Sequence, residues 1–292
     1  MSTPVTQTGL SAQQIDRVIQ MALAEDVPFG DLTTEAFVPE HAHATAELRA
    51  REPGVFSGGN VLSRAIQAVD DTVEVNLAAE EGAEFVSGDV LARVQGPARG
   101  ILTCERTALN LVQRMSGIAT VTAEFVAAVQ GTEVRITDTR KTTPGLRALE
   151  RYAVRCGGGH NHRFSLSDAV MAKDNHLAAV TAEGTDLTEA IRTAKARLPH
   201  TAHIEVEVDR MEQILPALEG GADTIMVDNF SPEDMVQAVK LIAGRAIVEA
   251  SGGVSLETVA SIARTGVDVI SVGALTQSAR ALDLGLDFQV ST

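Results

Sequence analysis

The 292-residue sequence contains no tryptophan and a single tyrosine. An aromatic platform on which nucleic-acid bases could stack is therefore not expected. Basic charge is scarce as well: 24 Lys and Arg stand against 39 Asp and Glu, a net charge of -15. That balance argues against a basic face tracking a phosphate backbone. The two cysteines, Cys104 and Cys156, form neither a CxxC pair nor a Cys/His cluster at zinc spacing, which suits a reducing compartment and reads as two ordinary buried thiols. No apolar run approaches the ~20 residues of a membrane helix. The opening MSTPVTQTGLSAQQ has no basic stretch followed by an apolar core, so it reads as no signal peptide. These absences lead to the expectation of a soluble, cytoplasmic protein that binds neither nucleic acid nor membrane.

Against the acidic background, one stretch has the opposite sign. From Arg135 to His176, eight Lys or Arg accompany only four Asp or Glu in 42 residues. Converging cations repel one another, and an anionic ligand drawn by the focused positive potential is the compensation such an island implies. Arg140, Lys141, Arg163 and Lys173 are its first candidates. The length suits one large α/β domain or a barrel plus a smaller domain, and two domains is the preferred reading.

Ser11 reads as the N-cap of an amphipathic helix whose apolar face is Ile15, Val18, Ile19, Ala22 and Leu23. The acidic, Pro/Gly-broken EDVPFGDLTT from Glu25 to Thr34 reads as a connecting loop. Short apolar alternations from Ala44 to Arg99, punctuated by glycines, predict a mostly antiparallel sheet with one helix near Val61 to Val69. Helical periodicity follows from Ile101 to Met115, and a second helical pattern from Ala119 to Val129. Beyond Gly131, strand-like runs centred near Val206, Ile225, Val248 and Ile270 recur every 19 to 23 positions, each followed by a capped helix. With strands at Arg135 to Thr137 and Ala169 to Ala172 they make about six βα units, short of an eightfold barrel. An irregular, incomplete α/β barrel is expected, with an open doubly wound sheet as the alternative.

In parallel α/β folds ligands gather beyond the carboxyl ends of the strands. Here those ends are polar throughout: Asp138-Thr139-Arg140-Lys141, Lys173-Asp174-Asn175-His176, Glu205, Glu207 and Asp209, Asp228-Asn229, Glu249 with Ser251-Gly252-Gly253, and Gly273-Ala274. Arg147, Arg151 and Arg155, four apart on a helix, read instead as a solvated or ion-paired face. Glu207 alternates with valines, and a buried carboxylate there would need a cation. Gly157-Gly158-Gly159 reads equally as a phosphate cradle or a turn. His160 and His162 are candidate metal ligands, but the cations beside them favour hydrogen bonding to an anion. Glycine-rich ends on the last strands suit a phosphate held by backbone amides. The set describes two ligands, a small polycarboxylate and a sugar phosphate accompanied by magnesium.

These residues carry a family resemblance. GDLTT at Gly30, TCERTALNLVQRMSGIAT at Thr103, DTRKTTPGLR at Asp138, GGGHNHRFSLSD at Gly157, KDNH at Lys173, EVEVD at Glu205, DNF at Asp228, EASGG at Glu249 and SVGALT at Ser271 cover the chain end to end. It resembles the quinolinate phosphoribosyltransferases. The resemblance implies an N-terminal α/β sandwich domain over 1–116, with the tail 280–292 packing on it, and a type II phosphoribosyltransferase-like incomplete barrel over 117–279. It also implies transfer of phosphoribose from phosphoribosyl pyrophosphate to quinolinate, releasing pyrophosphate and CO2 and giving nicotinate mononucleotide for NAD biosynthesis. By the family's pattern Arg140, His162, Arg163 and Lys173 bind the quinolinate carboxylates, and Arg106 arrives from the partner subunit of a homodimer, or larger assembly, with shared active sites. Lys141, Glu207 and Asp228 serve the pyrophosphate, the ribose hydroxyls and Mg2+, with Glu207 and Asp228 holding the metal directly or indirectly. Ser251, Gly252, Gly253, Gly273 and Ala274 receive the 5-phosphate. Gln277 stands where some members have histidine, and its amide can still donate. Two rivals remain: a related phosphoribosyltransferase using a monocarboxylate such as nicotinate, and a non-catalytic sugar-phosphate-binding protein.

Overall fold

The computed structural model describes residues 9–182 and 184–291, so most of the opening segment tested for a signal peptide lies outside the described residues. Two compact units form. The first comprises the chain through Ala123, Thr142–Gly158 and the segment from Leu275 onward; the second comprises Glu124–Lys141 and Gly159–Ala274.

The first unit opens with α1 (Ala12–Asp26), started by a capping box in which Ser11 and Gln14 satisfy each other's backbone N–H groups. Ile15, Val18 and Ile19 are buried, while Ala22 and Leu23 are half-buried. The stretch expected to be a loop contains a second helix, α2 (Leu32–Phe37), because the Asp31 carboxylate accepts the Thr34 N–H at 3.0 Å as its N-cap. Then come β1 (His43–Ala50), β2 (Gly54–Val55), α3 (Gly59–Val69), β3 (Glu74–Leu77), β4 (Glu84–Phe85) and β5 (Val90–Pro97). The two predicted helical patterns that follow are one 31-residue helix, α4 (Ala98–Ala128). Gly117, at the presumed break, is there for close approach: a Cβ would lie 1.9 Å from the Arg280 carbonyl oxygen.

The remaining elements are β6 (Arg135–Thr137), α5 (Arg147–Cys156), β7 (Val170–Ala172), α6 (Asp174–Thr181), α7 (Leu187–Ala196), β8 (Ile204–Val208), α8 (Ile214–Gly220), β9 (Thr224–Asp228), α9 (Pro232–Ile242), β10 (Ile247–Ser251), α10 (Leu256–Ala263), β11 (Val269–Ser271), α11 (Ala274–Gln277) and β12 (Leu284–Ser291). Strand β12 pairs antiparallel with β1 in a four-stranded sheet of order β12-β1-β5-β3, and α5 also belongs to the first unit.

The second unit is a six-stranded parallel sheet of order β6-β11-β10-β9-β8-β7. With β6 and β7 at its two ends, it is the incomplete barrel anticipated from the six-unit count. Serine N-caps at Ser231 and Ser255 start α9 and α10 as their sequences predict. Side chains alternate along each strand and share a face across a register row. Pairings of Glu205 with Thr224, Glu207 with Met226, Met226 with Glu249, and Asp228 with Ser251 put all the strand carboxylates on one face. Val206, Val208, Ile225, Val227, Val248 and Ala250 occupy the other face and are buried. The polar face is where the chemistry collects.

Candidate active site

At the carboxyl ends of the strands, Lys173 Nζ meets Glu207 Oε2 at 2.5 Å, with the Glu207 side chain 12% exposed and that of Lys173 45%. Burial, and then the neighbouring Glu207 carboxylate, push the Asp228 pKa up, while Lys173 and Lys141 draw it back down. Two carboxylates and two lysines therefore share one electrostatic neighbourhood. Asn229, in the left-handed region at φ 57, donates its side-chain amide to Asp228 Oδ2 at 2.8 Å and its backbone N–H to the Ser251 carbonyl at 3.0 Å. This tight crossing explains the glycine that follows. Gly252 has φ 89, and a Cβ there would lie 2.2 Å from Asn229 Oδ1. Gly253, at φ 59, faces open space. Gly273 and Ala274 follow β11, the neighbouring strand.

Beside this cluster in the chain, Arg140 carries a buried Nε with no hydrogen-bond partner among the described residues. The Arg163 pKa is lowered, first by burial and then by Arg140, with Glu205 and Asp168 opposing. Arg163 also donates from Nη1 to the Ala169 carbonyl at 2.9 Å. Two guanidiniums in mutual repulsion are suited to an anion carrying two charges, because each fork can take one carboxylate.

A third group lies on the polar face. His162 Nε2 stands 3.1 Å from Glu205 Oε2 and 3.4 Å from Glu249 Oε1, and both carboxylate side chains are 5% exposed. Burial opposes charge on the ring, but the hydrogen bonds to Glu205 and Glu249 outweigh it and push the His162 pKa up to about 10. Burial and Glu249 likewise push the Glu205 pKa up. The Arg163 N–H donates to His162 Nδ1 at 2.8 Å. With Nδ1 accepting that N–H, Nε2 bears the hydrogen that faces the two carboxylates. The three donor atoms are close enough for a metal ion. However, the ring presents a hydrogen to the carboxylates where a ligand would need a lone pair. The cluster lines a cavity of about 380 Å³ with Thr137, His203 and Thr224, at the amino ends of the strands.

The second unit thus brings together Lys141, Lys173, Glu207 and Asp228, sets Arg140 beside Arg163, and joins Ser251 and Gly252 to Asp228 through Asn229. His162 has both ring nitrogens engaged within the protein. Arg106 is exposed on α4 in the first unit, and Gln277 is exposed at the end of α11. Of the triple glycine, Gly157 is a packing residue: a Cβ would lie 2.3 Å from the Ala119 carbonyl. Glu205, Glu249 and Asp138 stand among the polar strand ends of the sequence analysis but carry no ligand role there. The alternation that singled out Glu207 applies equally to Glu205, whereas nothing local marks Glu249 as its neighbour.

The quinolinate phosphoribosyl transferase N-terminal domain family matches residues 31–116, and the C-terminal domain family matches 118–287. The carboxylating nicotinate-nucleotide pyrophosphorylase of Mycobacterium leprae is 48% identical over 275 residues, spanning 92% of this chain and 95% of that protein. The crystal structure of NadC from Streptococcus pyogenes superposes with a TM-score of 0.93 at 42% identity, covering 98% of this chain and all of the other. The nicotinate-nucleotide pyrophosphorylase structure from Francisella tularensis gives 0.87 at 35% identity, over 99% of this chain and 98% of that one. With both domains matched and relatives aligned over nearly their full length, the chain belongs to the quinolinate phosphoribosyltransferase family.

Proposed function

We propose that this chain transfers phosphoribose from phosphoribosyl pyrophosphate to quinolinate and decarboxylates the adduct to nicotinate mononucleotide. The observation that most supports this reading is the cluster of Lys141, Lys173, Glu207 and Asp228 at the carboxyl ends of the strands, with Arg140, the chain neighbour of Lys141, repelling Arg163. The guanidinium pair suits a dicarboxylate, and the cluster suits a diphosphate ester with ribose hydroxyls. The pyridine nitrogen attacks the anomeric carbon as the bond to pyrophosphate breaks. Glu207 and Asp228 stabilise the positive charge that develops on the ribose ring, Lys141 faces the departing anion, and Lys173 takes a quinolinate carboxylate. Ser251, Gly252, Gly253, Gly273 and Ala274 hold the 5-phosphate. The 2-carboxylate then leaves as CO2, its electron pair passing to a ring already made electron-poor by ribosylation; Arg140 and Arg163 contribute orientation.

The crowded carboxylates of Glu207 and Asp228 fit magnesium, which favours one or two carboxylates with substrate phosphate oxygens. Bound there, it would neutralise the pyrophosphate as it departs. A homodimer with shared sites is part of this reading, and features of the first unit's surface support it. Thr103 on α4 reaches the Asp31 cap of α2 at 3.3 Å. Around that cap Phe29, Leu32 and Phe37 are 95%, 80% and 82% exposed, and Arg106 is exposed one turn along α4. An apolar patch beside a functional cation fits a second copy of the chain supplying Arg106 in trans. The cytoplasm is the setting this reading expects. Incubation with quinolinate, phosphoribosyl pyrophosphate and magnesium should yield CO2 and nucleotide in equal amounts. Nucleotide from nicotinate with no CO2 from quinolinate would refute the assignment.

A further inference from the structure

Asp138 directly follows β6 and is completely buried, and its carboxylate accepts from the backbone and the amide of another segment. Oδ1 accepts the His162 N–H at 2.7 Å, and Oδ2 accepts the Asn161 side-chain amide at 2.6 Å. The Asp138 N–H donates to the His160 carbonyl at 3.1 Å, and His160 donates its own N–H to the Ile136 carbonyl at 2.8 Å. Thr137 and His160 form a parallel bridge. The loop of residues 160–162 is therefore stapled to β6 by backbone bonds at one end and by a charged side chain at the other. Arg140 lies two residues beyond Asp138, and Arg163 one residue beyond His162.

The two guanidiniums repel each other, and Arg163 is moreover desolvated. Left to themselves they would move apart, so something must hold their backbones together against that force. Carboxylate hydrogen bonds to N–H donors are charge-assisted and short, which makes them suited to the task. We infer that Asp138 is a positioning residue that sets the spacing of Arg140 and Arg163, and thereby the affinity for an aromatic 1,2-dicarboxylate. This rests on the proposed function, from which it adds a specificity determinant that touches no substrate. An aspartate is needed for its two acceptor oxygens on one short stem; asparagine can replace it only if Asn161 turns its amide over to accept.

Steady-state kinetics and calorimetric titration with quinolinate test this on three proteins. Asp138→Ala should raise the quinolinate KM and Kd at least tenfold, leave the KM for phosphoribosyl pyrophosphate within twofold, and lower kcat little. Asp138→Asn should recover most of the quinolinate affinity. Should the alanine variant fail to fold by circular dichroism, Asn161→Ala, at a half-buried position, takes its place and should raise the quinolinate KM several-fold with the same split. Equal changes for both substrates, or unchanged quinolinate affinity, would overturn the positioning role. Wild-type protein that binds no quinolinate would overturn the proposed function itself, and that outcome is read in the wild-type titration alone.

Discussion

Arg163→Ala removes a half-buried guanidinium that Arg140 repels, and the size of the effect follows from what surrounds it. Truncating one partner of a buried charged pair costs about 2 to 5 kcal/mol. At about 1.4 kcal/mol per decade, that is roughly 30-fold to several thousand-fold in the quinolinate KM. Two features pull in opposite directions within that range. Loss of Arg163 relieves its repulsion with Arg140, which acts against the effect. The same change strips the Ala169 carbonyl of its 2.9 Å donor and loosens the loop that carries His162, which adds to it. A loss on the order of 100-fold is therefore expected for quinolinate. The KM for phosphoribosyl pyrophosphate should stay within about threefold, because the strand-end carboxylates, lysines and glycines are untouched. Initial rates measured by CO2 trapping over a grid of both substrates give the two constants separately. Arg163→Lys is the informative companion: a point charge cannot reproduce a fork, so less than half of the lost binding energy should return. Equal weakening of both substrates, or full recovery by lysine, would refute the bidentate dicarboxylate reading.

Asp228→Asn keeps shape but removes charge, so turnover should fall and the magnesium concentration for half-maximal rate should rise; an unchanged magnesium titration would remove Asp228 from metal handling. Arg106→Ala and Lys173→Ala homodimers should each be nearly inactive, while mixed dimers made by refolding them together regain activity at the one site with both residues intact. Verified heterodimers as inactive as their parents would show that Arg106 does not act in trans. Burial pushes the thiols of Cys104 and Cys156 up to about 12, so at pH 8 only about one in ten thousand is thiolate. Native protein should resist Ellman's reagent and release two equivalents after unfolding; rapid labelling of the folded chain would contradict that burial.

The features legible before folding were those decided within a few residues. Ser11, Ser231 and Ser255 announce helix starts because a cap bonds its own first turn. Val206, Ile225, Val248 and Ile270 announce buried parallel strands because both sheet faces exclude water along those runs. The strand count, the incomplete barrel and the cationic island with its flanking carboxylates came from the same local patterns. What stayed hidden depends on which distant residues share a register row or a close approach. Gly117 looks like a helix break until Arg280 is seen lying against it, and Gly157 looks like a phosphate cradle until α4 fills the space where its side chain would be. Glu205 and Glu249 are 44 positions apart, and only the pairing of β8, β9 and β10 turns them toward one histidine. Asp138 reads as one more polar strand end, yet the fold buries it completely and commits both its oxygens to the loop that delivers Arg163. Composition and periodicity point to the strand ends as the place for an anion, since those are properties of single segments. The distance between its two guanidiniums is a property of two segments held together, and that required the tertiary structure.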